Sequence, residues 1–204
     1  YPTLHAFTED GVCRIRGAIE IVPGDRYGIE LELPSNYPHA LPIAWETEGR
    51  IPREIDRHTF PNGSLCLGPP LALWLALDGD FSIERVIDVP VRNFLVGNSL
   101  VEEGQPWPYD DYAHGAAGII QHLSEVLGTT DAMMLCKLLV DLMQGRVRGH
   151  WTCPCGSGLI IRKCHRDAIE RLRRVPHGIL AHAVDTMLDH LKRQRKLAQA
   201  APSQ

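Results

Sequence analysis

HTFPNGSLCLGPP, residues 58 to 70, is the stretch on which the reading of this chain turns. Pro61-Asn62-Gly63-Ser64 is a turn signal, because Asn and Gly reach backbone conformations that other residues resist. It runs straight into a cysteine flanked by Leu65 and Leu67 and closed by Pro69 and Pro70. A core strand rarely follows such a turn so closely, so Cys66 reads as a thiol lifted onto an accessible shelf that the two leucines anchor. Thiolates are working nucleophiles. On this reading Cys66 should react with a thiol reagent faster than Cys13 or Cys136.

Working outward, VCRIRGAIEIV (12–22) and YGIELEL (27–33) are β-rich runs separated by a turn at Pro23-Gly24-Asp25. In the second run Tyr27, Ile29, Leu31 and Leu33 are spaced two apart, as in a half-buried antiparallel strand. Three prolines interrupt at 34–42, and IAWET (43–47) reads as a third strand of a short meander. Downstream, Ser82 is a helix N-cap that opens a helix through about Asn98, with Pro90 expected to kink or split it. GQPWPYDDY (104–112) reads as a loop, and 113–127 and 130–145 as helices stopped by Gly128 and Gly145. Helical patterns at 166–174 and 178–197 are divided by Val175-Pro176, and 198–204 reads as a disordered tail.

The 44% hydrophobic and 23% charged composition is that of a soluble globular chain. No apolar run approaches the roughly 20 residues that cross a bilayer, and Tyr1 opens no signal-peptide pattern. The net charge of −4 hides an asymmetry. Residues 1–130 carry 8 arginines, no lysine and 19 acids, whereas 131–204 carry 13 basic and 6 acidic residues. That contrast suggests separate modules. Six cysteines, three of them within 12 residues, do not form a disulfide framework, and a reducing cytoplasm is the expected compartment.

CPCGSGLIIRKCH, residues 153–165, is the most specific chemical signal. Two thiols at i and i+2 flank a turn, and the chain returns with Cys164 and His165 side by side. Four soft or borderline ligands, Cys153, Cys155, Cys164 and His165, suit a closed tetrahedral structural zinc site. Gly156 and Gly158 let the backbone wrap the ion. The segment resembles the SEC-C motif, the small zinc knuckle at the end of the bacterial preprotein-translocase ATPase. Leu159-Ile160-Ile161 departs from the usual polar character there, which implies packing of the knuckle on its own protein.

A second resemblance spans residues 12–104. Strands, Tyr37-Pro38 with Pro42, another strand, a histidine, Asn62-Gly63-Ser64-Leu65-Cys66-Leu67, then Trp74 and a Ser-capped helix follow the order of ubiquitin-conjugating (UBC) enzymes. The resemblance implies that Cys66 carries a protein C-terminus as a thioester and passes it to an amine or another nucleophile. His-Pro-Asn, whose asparagine helps stabilise the oxyanion in that family, does not occur here; His58 stands eight residues before Cys66, and Asn62 matches a flap-loop asparagine. His58 is therefore the candidate for the polar role. Glu102 and Glu103 lie near the family's acid that receives the proton of the attacking amine. Divergent proteins of this kind resemble those of bacterial antiphage operons, some beside a CBASS-type nucleotidyltransferase. The partners so implied are a ubiquitin-like protein or such a nucleotidyltransferase, with a separate activating enzyme; neither a membrane nor nucleic acid is expected.

The expected architecture is thus α+β. A UBC-like domain (1–112) would combine an antiparallel β-meander with flanking helices. A helical extension (113–149), a zinc knuckle (150–167), C-terminal helices (168–197) and the tail (198–204) would follow. Two other readings use the same residues: a catalytically inactive UBC-fold adaptor, and a cysteine hydrolase pairing Cys66 with a distant base such as His114.

Overall fold

A computed structural model describes residues 1–109 and 115–200. The chain is mixed α+β and divides into two compact units, Tyr1–Gly68 with Ala76–Asp111 and Pro69–Leu75 with Tyr112–Gln204. No helix among the described residues is long and apolar enough to cross a membrane.

The first unit is built on a four-stranded antiparallel meander in sequential order: β1 (His5–Glu9), β2 (Val12–Val22), β3 (Asp25–Leu33) and β4 (Ile43–Glu46). Sequence reading finds β2, β3 and β4 but not β1, whose five residues are mostly exposed. β1 turns into β2 through Asp10 and Gly11, both at positive φ (51° and 77°), the geometry of a two-residue hairpin. Ile15, Ile19 and Ile21 of β2 and Tyr27, Ile29 and Leu31 of β3 point to one face, where they form the buried core with Val86, Ile87, Val91, Phe94 and Leu95. The opposite face is ionic. Glu30, paired across from Arg16, accepts from Arg14 Nη1 and Arg16 Nε, each at 2.6 Å.

The helix over that core begins where Ser82 Oγ caps the Arg85 N–H at 3.2 Å. It runs as α2 (Ile83–Val86), a π-helical segment (Ile87–Val91) and α3 (Arg92–Glu102). Pro90 falls inside the π segment. A proline has no N–H for the preceding turn, and the wider register lets the chain continue without a break. The helix reaches Glu102, four residues past its expected end.

The second unit contains most of α1 (Pro70–Leu77), a helix that sequence reading does not anticipate, including buried Trp74. Its other helices are α4 (Ala116–Leu127), α5 (Ala132–Met143), α6 (Arg166–Arg174) and α7 (His177–Ala200). Leu123, Leu127, Leu135, Leu139, Leu172 and Met187 are fully buried among them. Asp131 caps α5 by accepting from the Met133 and Met134 N–H groups at 3.0 Å each, and Gly128 ends α4 in the left-handed conformation. α7 continues through 198–200, the start of the stretch expected to be a disordered tail. Residues 201–204 and His114 lie outside the described residues.

Candidate functional site

Two chemical groupings occur, one in each unit. In the second unit, Trp151–Cys153 pairs with Leu159–Ile161 as a minimal hairpin: Ile161 N–H donates to Trp151 O at 2.9 Å and Cys153 N–H to Leu159 O at 2.8 Å. Gly156 (φ 78°) and Gly158 (φ 75°) shape its tip. A short 3₁₀ turn (Ile161–Lys163) then delivers Cys164 and His165 to the start of α6. The ligand atoms of Cys153, Cys155, Cys164 and His165 all lie within 4.8 Å of one another. Cys153 Sγ is 3.2 Å from His165 Nδ1, Cys164 Sγ is 3.3 Å from that nitrogen, and Cys155 Sγ is 3.5 Å from Cys164 Sγ. Ligands at zinc–sulfur and zinc–nitrogen bond lengths would stand roughly 3.5–3.8 Å apart around a tetrahedral ion. The four residues are thus close enough to hold a metal, and three sulfurs with one imidazole are compatible with zinc.

The knuckle also supplies partners for thiolates. Hydrogen bonds from the Ser157 side chain and backbone hold the Cys155 thiol down to about 6, whereas burial pushes Cys153 up to about 11. Of the apolar triplet, Ile161 is buried and Ile160 half-buried, but Leu159 is 48% exposed, so self-packing uses two of the three. Gly128 abuts the cluster: a Cβ there would meet Cys155 Cβ and His165 Cε1, each at 3.5 Å.

In the first unit the Cys66 segment closes on itself. Thr59 pairs with Leu65 as an isolated antiparallel bridge, Phe60 N–H donates to Ser64 O at 2.8 Å, and Gly63 N–H donates to Phe60 O at 2.8 Å. Leu65 N–H reaches Ala44 O of β4 at 2.8 Å, which fastens the loop to the sheet. Leu65 is buried and Leu67 packs against the core, as the anchoring role of the two leucines requires. The loop brings His58 and Cys66 together: Cys66 N–H donates to His58 O at 2.7 Å. His58 has φ 53° and ψ 40°, the left-handed region, uncommon for residues other than glycine but one in which asparagine, aspartate and histidine are enriched.

Asn62 Oδ1 accepts from Ser64 N–H at 3.0 Å and Ser64 Oγ at 2.7 Å, so this oxygen shapes the turn. Glu102 is held between two arginines: Arg50 Nη2 donates to Oε2 at 2.7 Å and Arg57 Nη2 to Oε1 at 3.2 Å. Glu103 is exposed at the end of α3. Cys13 is exposed, Cys66 half-buried and Cys136 buried. The expectation that Cys66 is more accessible than Cys13 is therefore corrected: Cys13 sits near the exposed end of β2, and the shelf holds Cys66 half in.

Sequence reading missed the side chains that tie this loop to α3. Arg57 Nε donates to the buried Asn98 Oδ1 at 2.8 Å. Arg50 donates to Asp25 at 2.5 Å, its guanidinium lies 3.9 Å above the Tyr27 ring, and Tyr27 meets Ser99, which donates to Asp25 at 2.7 Å. Burial would raise Asp25, but the hydrogen bonds from Ser99 and Arg50 outweigh it and hold the carboxyl low. Trp107, from the proline-flanked loop, stacks on His58 with ring centroids 4.3 Å apart. These contacts join residues 23 to 74 apart in sequence, and no local pattern announces them.

No protein-family profile, curated protein or solved structure matches this chain.

Proposed function

We propose that this protein is a ubiquitin-conjugating-like acyl carrier with a structural zinc knuckle. The observation that carries the reading is the Cys66 loop, a tight turn docked on β4 whose closing hydrogen bond sets Cys66 beside His58. The sequential meander and the Ser82-capped helix are consistent with the UBC resemblance. In the reaction, the Cys66 thiolate attacks the activated C-terminal carbonyl of a partner protein and expels the activating group. An amine then attacks the thioester, loses its proton, and releases the Cys66 thiolate. A ubiquitin-like protein or a CBASS-type nucleotidyltransferase is the class of partner, antiphage defence the setting, and the cytoplasm the compartment. In the knuckle, Cys153, Cys155, Cys164 and His165 would hold zinc with all four positions filled by protein, which suits a structural rather than a catalytic ion.

The test is to offer the full chain a protein whose C-terminus is activated as a thioester or adenylate. A reductant-sensitive adduct should form at Cys66, vanish in Cys66→Ala and become a reductant-resistant oxyester in Cys66→Ser. Failure of every such donor to load a thiol that still alkylates would overturn the reading. The alternative, an inactive adaptor of the same fold, draws on the engagement of Asn62 Oδ1 by Ser64 and of Glu102 by Arg50 and Arg57. It predicts binding of the same partner without any adduct.

A further inference from the structure

We propose that Trp107 is a positioning residue that holds His58 against the Cys66 loop, and that Gly97 is the notch in α3 that admits it. The inference rests on reading Cys66 as the reacting thiol. The Trp107 and His58 rings are 4.3 Å apart between centroids and 33° from parallel. Elsewhere the indole presses on α3 where only a glycine leaves room: a Cβ on Gly97 would fall 2.6 Å from both Cη2 and Cζ3 of Trp107. Phe94 and Tyr109 meet the indole edge-on, each 6.0 Å away between centroids. The indole is thereby hemmed in between a buried helix surface and the imidazole.

Glycine within a helix costs about 1 kcal/mol relative to alanine, and Gly97 lies mid-helix in α3 and is buried. What this glycine provides in return is space for the indole. His58 stands in the left-handed region, which the surrounding structure must enforce. Arg57, the residue before His58, donates to Asn98, and Trp107 covers the imidazole itself. A displacement of His58 would reach Cys66 through the 2.7 Å hydrogen bond between their backbones. Two anchors on one helix, Gly97 and Asn98, thus act on the thiol loop from the His58 side, while Leu65 fastens it to β4.

A double-mutant cycle on the full chain tests this, read by the NMR shifts of the His58 ring protons and the Cys66 amide. In the wild type the indole should move the His58 ring protons upfield, and Trp107→Leu should abolish that shift. Gly97→Ala should also abolish it and move the Cys66 amide, because the added methyl and the indole cannot share the notch. In the Trp107→Leu background, Gly97→Ala should move neither resonance further, since the methyl then meets no indole. Trp107→Phe, which retains a flat ring, should restore part of the upfield shift and, if the thiol loads, part of the discharge rate. Thioester discharge in Gly97→Ala should fall on the order of 10- to 100-fold, the scale of a misplaced group. Unmoved His58 and Cys66 resonances in Gly97→Ala, or equal effects of Gly97→Ala with and without the indole, would overturn the proposal. A wild type that never loads while the cycle behaves as described would sink the acyl-carrier reading and uphold the positioning one; should Gly97→Ala not fold, the Trp107→Leu and Trp107→Phe pair carries the same comparison.

Discussion

The Cys/His cluster and the thiol loop are built on opposite plans. Cys153, Cys155, Cys164 and His165 fall within 13 consecutive residues, and a hairpin with two positive-φ glycines followed by one 3₁₀ turn converges them. The Cys66 loop is also local, but what braces it is not: Arg50, Arg57, Asn98, Glu102 and Trp107 arrive from three separated segments. A local cluster of ligands that binds a metal would draw its order largely from the ion. A distributed network depends instead on the fold that assembles it. One region should therefore fail by losing a ligand, and the other by losing a brace.

The largest effect is expected at the cluster. Cys155→Ser should reduce zinc from about one ion per chain to a small residue, and hydrogen exchange should rise sharply over 150–175 while β2 and β3 stay protected. Elemental analysis and exchange mass spectrometry on the same sample measure both. Full zinc occupancy in this variant would break the contrast, since the cluster would then not be the ion's holder.

The same contrast explains what was legible in the sequence. Ligand spacing is written in consecutive letters, as are Ser82 before a helix and Val175-Pro176 between two. Glu102 shows where such reading stops. Its place near the end of a helix is readable, but the two guanidinium groups on its carboxylate come from positions 50 and 57 and depend on how helix and sheet pack. β1 escaped because an exposed edge strand has little apolar alternation to announce it. α1 escaped because its first residues, Pro70-Leu71-Ala72-Leu73, are apolar without a polar face, and such a run has no helical period.

A smaller loss tests the brace. Arg57→Ala strips the guanidinium donor from the Oδ1 of Asn98, which is fully buried, and leaves Glu102 with Arg50 alone. An unsatisfied buried acceptor costs about 1–3 kcal/mol, so the melting transition of the first unit should fall while zinc content stays unchanged. A loss of zinc in Arg57→Ala would show that the two regions are not independent.

Acid should sharpen the comparison further. Burial would raise the Glu30 carboxyl, but the hydrogen bonds from Arg14 and Arg16 outweigh burial and hold it below the usual carboxylate range. A depressed folded-state value adds stability at pH above the unfolded value of about 4.3, and that stability is lost as pH falls through the lower folded value. Glu30→Gln should therefore be less stable than the wild type at neutral pH, and the gap should narrow in acid. Unfolding curves at a series of pH values would show it; a gap that is constant with pH would mean that Glu30 contributes through packing rather than charge.

The smallest expected change in stability separates the two jobs of His58, backbone and imidazole. Its left-handed φ of 53° costs an ordinary L-residue such as alanine about 1–2 kcal/mol, whereas asparagine and histidine are enriched in that region. His58→Ala should therefore melt lower by about 1 kcal/mol for backbone reasons alone, whereas His58→Asn should melt close to the wild type. If the imidazole stabilises the oxyanion, discharge of a Cys66 thioester should be impaired in both variants, by roughly 10²–10³ for the loss of one donor. If His58 serves only to turn the chain into the Cys66 loop, His58→Asn should keep both the melting point and the discharge rate. Comparing alanine with asparagine thus removes the ambiguity that alanine alone would leave, because a strained backbone and a missing donor both slow the reaction. Wild-type discharge in His58→Asn would remove the imidazole from the chemistry and leave Asn62 or a backbone N–H as the remaining donor, unless the amide introduced at position 58 replaces it, which discharge by His58→Gly would decide.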